Sequence, residues 1–293
     1  MSVSRRVFAL VALIAAAIAS LALPVHGQGH APVPVSPAPP PLVKVHWRLP
    51  APASVMWIGA HPDDEVLVAP LLAHWCGAGR ARCTLLTATR GGAGTCLLPA
   101  GCLPDLATVR SAEAGASSQL FGADAILLSL PDGGAAAPPP WDLDAGGSRE
   151  IVSTIAGFIR AEAPDLVLTL DPRHGTTCHP DHRAIAAIVL EAVKELTAPP
   201  AVYLLETRLQ IATPPPTLHF SSASPDAIRF DANGLVVATG SPAWNALTSD
   251  MRLHPSQFDD SWLAAASQVP AAERAVYIAP APEILQRPVS TCP

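Results

Sequence analysis

Short apolar runs alternate with segments of helical periodicity along the chain as far as Glu206. The runs predict β-strands over 55–61, 82–89, 124–130, 165–170 and 201–206. The segments between them predict helices over 63–76, 105–121, 148–163 and 181–196. Because strands and helices alternate, we expect right-handed crossovers and a mostly parallel sheet. The pattern therefore predicts a Rossmann-like α/β fold with helices on both faces of the sheet.

Two features of the sequence add detail to these predicted elements. The stretch from Ala125 to Leu130 is almost wholly apolar, which is typical of a strand buried on both faces. Pro70 lies inside the first predicted helix, where it is expected to lie at a position of low cost or to kink the helix.

Beyond Glu206 the alternation weakens, and Pro214 to Pro216 interrupt the chain. Apolar stretches predict short strands over 218–220, 228–230 and 235–238. A turn is expected at 231–234 and a helix near 259–267. The C-terminal part is therefore predicted to be smaller, irregular and β-containing.

Polar side chains follow the predicted strands at their carboxyl ends. His61 to Glu65 follow the first strand, and His179 to His182 lie between the fourth strand and its helix. Arg90 and Asp132 follow the second and third strands. Parallel sheets bind ligands outside the carboxyl ends of their strands, so the two clusters are predicted to share one cleft.

The two clusters contain residue types that bind a catalytic metal. His61 and Asp64 are three residues apart at one helix start, as are His179 and His182 at another. Two imidazoles and a carboxylate with an open position suit zinc, which activates water and polarises a carbonyl. Asp63 is the candidate general base, and His179 the candidate proton donor to a leaving amine. Helix capping and dipole pairing are the structural alternative for such residues.

The strings Ala60-His61-Pro62-Asp63-Asp64-Glu65 and His179-Pro180-Asp181-His182 resemble the LmbE/PIG-L family of zinc-dependent de-N-acetylases. The resemblance extends over about 54–206. It includes the stretches Leu86 to Gly91, Arg110 to Glu113, Leu120 to Gly122 and Leu130 to Gly133.

The resemblance implies a role for each matching residue. Zinc is expected on His61, Asp64 and His182, with Asp63 as general base and His179 as the acid or the oxyanion partner. The candidate substrate-binding residues are Arg110, Asp132 and Arg90.

Two further acidic residues are expected to support the site. Asp181 is expected to orient a histidine in the second ligand sphere, and Glu65 to pair near the helix start.

Two segments depart from the family pattern. The segment 174–178 and the loop after Arg90, which carries Cys96 and Cys102, differ from the usual pattern. These segments surround the cleft, so the substrate's identity stays open.

The N-terminus has the layout of an export signal. Arg5 and Arg6 precede an apolar run to Leu23, and Val25 to Gly27 offer a cleavage site. The paired arginines resemble a twin-arginine signal, and an uncleaved anchor is the alternative. The expected organisation is a signal peptide at 1–27, a proline-rich linker at 28–52 and a catalytic domain at 53–293. The protein is therefore expected to be exported, either periplasmic or secreted, with no stable membrane span after cleavage.

The net charge limits the classes of binding partner, and the cysteine count indicates an oxidising compartment. Of the 293 residues, 14% are charged, and loss of 1–27 changes the net charge from −6 to −8. This disfavours nucleic acid and leaves a small-molecule or glycoconjugate substrate. The six cysteines are expected to form disulfides 76–83, 96–102 and 178–292, among 15 possible pairings. A cysteine–zinc site is the rival, but no C-x-x-C pair is present.

The sequence therefore predicts zinc-dependent hydrolysis of the acetamide of an N-acetylglucosaminyl-type substrate, with metal-bound water as nucleophile. The alternatives are a zinc amidohydrolase for another N-acyl substrate and a non-catalytic carbohydrate-binding relative. The remaining histidines without partners at ligand spacing are expected to be surface or satisfied side chains: His74, His219 and His254.

Overall fold

The computed structural model describes residues 48–77, 79–147, 149–236, 238–286 and residue 292. The predicted signal peptide, 1–27, and most of the predicted linker, 28–52, lie outside these residues. At the start of the described chain, Leu49 packs against the hydrophobic core. The indole of Trp75 donates a hydrogen bond to the carbonyl of Pro50 at 3.1 Å. The end of the predicted linker is therefore part of the packed structure.

A seven-stranded, mostly parallel sheet forms the centre of the fold. The strands of the described residues are β1 Ser54–Gly59, β2 Arg82–Thr89, β3 Asp124–Leu130, β4 Leu166–Thr169, β5 Ala201–Leu205, β6 Thr207–Ala212, β7 Thr217–Ser222, β8 Ile228–Asp231, β9 Leu235–Val236, β10 Ser241–Pro242 and β11 Ala275–Pro280. The sheet order is β3-β2-β1-β4-β5-β11-β8. The first five strands are parallel, and β11 and β8 join antiparallel. The predicted fold class is confirmed.

The strand order fixes where the site lies. The chain runs outward from β1 to β3 and then returns to place β4 on the other side of β1. A crevice opens outside the carboxyl ends of the strands where the order reverses in this way. The two polar clusters follow β1 and β4, so both border this crevice.

Helices accompany the sheet, and four of them lie within or overlap the segments in which the alternation predicts helices. They are α1 Ala69–Trp75, α2 Leu106–Phe121, α3 Glu150–Glu162, a short turn α4 Gly175–Cys178, α5 Pro180–Lys194, α6 Trp244–Met251, α7 Asp260–Gln268 and a short α8 Ala281–Ile284. Asp105 caps α2 by accepting from the N–H of Thr108, and Gly122 ends it in the left-handed conformation. Helix α3 packs against α5, which in turn packs against β1.

The first predicted helix is interrupted. Residues Asp64–Leu67 form a 3₁₀ turn, and α1 starts only at Ala69. Val68, with φ −116°, separates them, and Pro70 lies in the first turn of α1, where its missing N–H removes no helical hydrogen bond. The prediction of one continuous helix is wrong, whereas the low-cost position predicted for Pro70 is confirmed.

The prediction that β3 is buried on both faces is wrong. Among the described strands, β3 lies at the edge of the sheet and pairs with β2 alone. Asp124, Ala125 and Ser129 are exposed, and the rest of the strand is half-buried. An apolar run indicates a strand without indicating whether that strand is central or peripheral.

The C-terminal part contains elements that the pattern did not predict, chiefly β6, α6 and β11. β6 and β7 form an antiparallel hairpin apart from the main sheet. The strands predicted at 218–220 and 228–230 are confirmed as β7 and β8, and the turn at 231–234 forms. α7 confirms the predicted helix, with Asp259 as its N-cap.

Three disulfides join the predicted cysteine pairs. They link Cys76 to Cys83, Cys96 to Cys102 and Cys178 to Cys292. The last one ties the C-terminus to α4, directly before His179. Among the described residues, the helices are too short or too polar to cross a bilayer.

Candidate metal centre

Asp64 is fixed over the end of β1 by backbone hydrogen bonds. Its Oδ2 accepts from the N–H groups of Ala60 at 2.7 Å and His61 at 2.9 Å. Gly59 leaves room for this carboxylate, since a Cβ there would lie 3.2 Å from Oδ2. The second oxygen, Oδ1, is left to face the imidazoles.

Three donor atoms converge in front of β1. Oδ1 of Asp64 lies 2.9 Å from Nε2 of His182 and 3.8 Å from Nδ1 of His61. The two ring nitrogens lie 3.2 Å apart. Zinc bonds of about 2.0–2.1 Å in tetrahedral geometry separate neighbouring ligand atoms by roughly 3.3 Å. The spacing therefore fits one small cation.

Hydrogen bonds on the far side of each ring fix where the lone pairs point. Nδ1 of His182 lies 2.9 Å from the carbonyl of Gly175, so it must donate. Nε2 of His61 lies 3.1 Å from Oδ2 of Asp181 and likewise donates. In the neutral tautomers that these outer hydrogen bonds favour, the inner nitrogens of both rings are unprotonated and face the carboxylate of Asp64. Such a donor set suits a cation, and orientation of ligands by outer partners is typical of metal sites.

His179 belongs to the same pocket with different hydrogen bonding. Its ring centroid lies 4.7 Å from that of His61 and 4.9 Å from that of His182. Its Nδ1 caps α5 by accepting from the N–H of Asp181 at 3.2 Å. Burial lowers the pKa of His179 to about 4, and the neighbouring imidazoles act in the same direction. The ring is therefore neutral, with its proton on Nε2, which makes it a hydrogen-bond donor to the cleft.

Asp63 is held in a strained conformation beside the metal donors. Its φ is 110°, which is unusual for a residue other than glycine. Its Oδ1 lies 2.8 Å from Nη2 of Arg110. Burial raises the pKa of Asp63, and Arg110 acts against this shift. The carboxylate is therefore positioned by a cation and made more basic by its surroundings.

Arg110 joins three segments beneath the cleft. Besides Asp63, its guanidinium donates to the carbonyl of Gly91 at 3.0 Å and to the carbonyl of Pro62. Gly91 has φ +65°, and a Cβ there would lie 2.4 Å from Nη1 of Arg110. Only glycine fits this contact, which explains the glycine after Arg90.

Glu65 pairs as predicted, but with a residue that the sequence did not suggest. Its Oε1 lies 2.7 Å from Nε2 of His254, and its Oε2 accepts from the N–H of Asp63 at 3.1 Å. His254 is fully buried, so the surface option for this residue is wrong. Burial alone would lower the pKa of His254, but the Glu65 carboxylate raises it to about 9. Burial raises the pKa of the neighbouring Asp250 to about 8.

The predicted substrate-binding residues lie in different places. Asp132 borders the cleft, and its Oδ1 lies 3.5 Å from Nε2 of His61. Burial opposes ionisation of Asp132, but the His61 contact and backbone N–H groups hold its pKa well below the usual range. Arg110 also lines the cleft. Arg90 lies outside the lining and donates to Oγ of Ser111 at 2.9 Å.

Comparison with known proteins identifies the segment that carries these residues. Residues 56–193 match the family model for PIG-L, described as GlcNAc-PI de-N-acetylase. This segment therefore resembles the PIG-L family. The PIG-L segment contains both polar clusters and Arg110.

A curated relative and two solved structures resemble the chain. The relative is a 1D-myo-inositol 2-acetamido-2-deoxy-alpha-D-glucopyranoside deacetylase from Kineococcus radiotolerans, 34% identical over 172 residues. The match covers 50% of this chain and 47% of that protein, so the chain spans about half the length of the curated relative. An N,N'-diacetylchitobiose deacetylase from Pyrococcus horikoshii has TM-score 0.55 and 20% identity, with coverage of 78% and 84% of the two chains.

The second structure is a 4-carboxy-2-hydroxymuconate hydratase from Pseudomonas putida KT2440. Its TM-score is 0.54 at 13% identity, with coverage of 82% of this chain and 99% of that chain. At such identities the two solved structures show only that the PIG-L segment and its surroundings share their fold.

The cleft above the three converging donor atoms has a volume of about 410 Å³, within the usual range for small-molecule sites. Its two halves differ in chemistry. We call the lining from the loops after β2 and β3, which includes the polar side chains of Thr95 and Asp132, the polar half, and the apolar side chains from β6, β7, α6 and α7 the apolar half. The apolar half comes from outside the PIG-L segment, where the sequence pattern was weak.

Proposed function

We propose that the protein is a zinc-dependent amidohydrolase that hydrolyses the acetamide of an N-acetylated amino sugar of the N-acetylglucosaminyl type. The proposal rests chiefly on the convergence of two imidazole lone pairs and the carboxylate of Asp64. Its metal ligands are His61, Asp64 and His182. The PIG-L match and the deacetylase named above support the reaction class.

His61, Asp64 and His182 would hold the zinc ion, which would supply Lewis acidity and would lower the pKa of a bound water to about 7. The protein groups around it would move the protons. Asp63 accepts a proton from the attacking water, since its pKa is raised by burial and Arg110 holds it in place. Once protonated, Asp63 can return that proton to the leaving amine.

His179 stabilises the developing negative charge on the amide oxygen. Its neutral ring offers Nε2–H to the cleft, while Nδ1 is occupied as the cap of α5. A second proton on the ring would break that cap, which favours the oxyanion-partner role over the proton-donor role. Asp181 positions the ligand set through its contact with His61 and accepts from the N–H of Gly133 at 3.0 Å.

Asp132 is the best-placed contact for a sugar hydroxyl. It stays ionised and lines the cleft beside His61. Arg110 is chiefly a positioning residue for Asp63. Because Arg90 lies outside the cleft lining, it has no part in this proposal.

Release of free amine from a panel of N-acetylglucosaminides tests the proposal. The purified protein is assayed before and after treatment with a chelator. Zinc-dependent amine release supports an amidohydrolase. Sugar binding without amine release would instead support the non-catalytic carbohydrate-binding alternative.

The proposal includes export of the protein after cleavage of its signal peptide. Three disulfides suit an oxidising compartment. N-terminal sequencing of protein from the exported fraction should begin near residue 28; a start at Met1 would contradict cleavage.

A further inference from the structure

The β6–β7 hairpin presents an apolar face to the cleft. Leu209 lies opposite Phe220 and Ile211 opposite Leu218 in the antiparallel register. Alternate residues of a strand point to one face, and all four of these side chains line the cleft. The opposite face carries polar residues such as the exposed Gln210.

Apolar residues close to the proposed metal ligands line the same cleft. Helix α6 packs against the 3₁₀ turn Asp64–Leu67. Leu247 and Met251 of α6 line the cleft together with Val66 and Leu67, which directly follow the carboxylates. Phe258 and Trp262 close this half, with their ring centroids 5.9 Å apart.

The two halves of the cleft suit the two sides of an amide. Asp132, Arg110 and Thr95 line the polar half, where a hydroxyl-rich sugar would bind. An acyl chain is attached directly to the carbonyl carbon, whereas an apolar aglycone is separated from the amide nitrogen by the sugar ring. Val66 and Leu67 line the cleft two and three residues after Asp64. This placement favours the acyl chain, which is bonded to the reacting carbonyl, as the group that contacts the apolar half.

We infer that the apolar half is an acyl-binding site, and that the preferred substrate carries an N-acyl chain longer than acetyl. This inference rests on the proposed amidohydrolase function. Hydrolysis breaks the amide C–N bond. Water supplies the hydroxyl of the released fatty acid and a proton to the amine, so no further reactant is needed. An acetyl group alone would leave the hairpin face uncovered.

A chain-length series tests the inference. N-acetyl-, N-butyryl-, N-hexanoyl- and N-octanoylglucosamine are compared by kcat/KM for amine release from the zinc-loaded protein. We expect a gain of about fourfold per added methylene until the chain exceeds the cleft. Ile211→Ser should flatten this dependence of kcat/KM on chain length, because it removes an apolar side chain that lines the cleft. Ile211 is 43% exposed, so its replacement leaves the core intact. Gln210→Ala, on the opposite face, is the matched control and should leave it unchanged.

A binding experiment separates this inference from the proposed function. Acetate, butyrate, hexanoate and octanoate are titrated while tryptophan fluorescence is followed, since Trp262 lines the cleft. Affinity should rise with chain length. If no N-acylglucosamine is cleaved, the proposed function fails, and the carboxylate series still decides whether an acyl site exists.

Two results would overturn the inference while leaving amide hydrolysis intact. One is a kcat/KM for the acetyl substrate that equals or exceeds those of the longer substrates, with no rise in carboxylate affinity. The other is a kcat/KM that rises when N-acetylglucosamine carries an octyl aglycone but does not rise when the acyl chain is lengthened. That result would place the aglycone, and not the acyl chain, in the apolar half.

Discussion

His254 and Glu65 form a buried ion pair, 2.7 Å between Nε2 and Oε1, that joins residues 189 positions apart. The other oxygen of Glu65 accepts from the backbone N–H of Asp63. A histidine from the C-terminal part of the chain therefore supports the strained conformation of the proposed general base.

Removing His254 should destabilise the protein strongly. His254→Ala leaves Glu65 buried without its cation, which typically costs about 3–5 kcal/mol. His219→Ala is the matched control, because His219 pairs with Glu273 at the surface and such pairs contribute at most about 1 kcal/mol. Urea denaturation compares the free energies of unfolding; equal losses in the two variants would contradict the supporting role of His254.

The contribution of His254 should depend on pH. Its pKa is raised to about 9 by Glu65, so the folded protein holds this proton more tightly than the unfolded chain, where the pKa is about 6.5. The stabilisation is complete below pH 6.5 and is lost as the pH rises to about 9. The stability difference between wild type and His254→Ala should shrink by about 2–3 kcal/mol across this window. A difference that stays constant would rule out titration of His254 there.

Asp63→Asn should separate chemistry from metal binding. The amide keeps the shape of the side chain and can adopt positive φ, but it cannot accept the proton of the attacking water. We expect kcat/KM to fall by about 10²–10⁴ while the zinc content is retained. Elemental analysis measures the metal. Near wild-type kcat/KM in this variant would remove Asp63 from the role of general base.

Gly91→Ala should disturb Asp63 through Arg110. The new Cβ would lie 2.4 Å from Nη1 of Arg110, so the guanidinium must move. A displaced base is expected to lower kcat/KM by about tenfold to a hundredfold. Gly122 is the matched control, since it also has positive φ but nothing lies within 4 Å of the position of its Cβ. Gly122→Ala should cost about 1–2 kcal/mol of stability without loss of kcat/KM, and equal losses of kcat/KM would contradict this coupling.

The local pattern was sufficient to predict much of the fold and half of the cleft. His61 and His182 could be placed together because the carboxyl ends of parallel strands share one edge, and alternation alone implied such a sheet. The cysteine pairing followed from short spacings that left Cys178 and Cys292 as the remaining pair.

The rest depended on contacts that no local pattern contains. The burial of β3 depends on its place in the sheet order. The partner of Glu65 lies 189 residues away, and His254 has no acidic motif of its own to indicate the contact. The apolar face of the hairpin is contributed by two short strands, β6 and β7, neither of which has an unusual composition. Only the pairing of Leu209 with Phe220 shows that their apolar side chains share one face.

Zinc titration of metal-free protein tests the central claim most directly. Wild type, His182→Ala and His179→Asn are stripped with a chelator and titrated with zinc while bound metal and amine release are followed together. His179→Asn retains a residue suited to capping α5. We predict that wild type and His179→Asn bind one zinc per chain, that His182→Ala does not, and that wild-type activity rises in proportion to bound zinc. Full activity of the stripped wild type, or normal zinc binding by His182→Ala, would contradict the proposed metal centre.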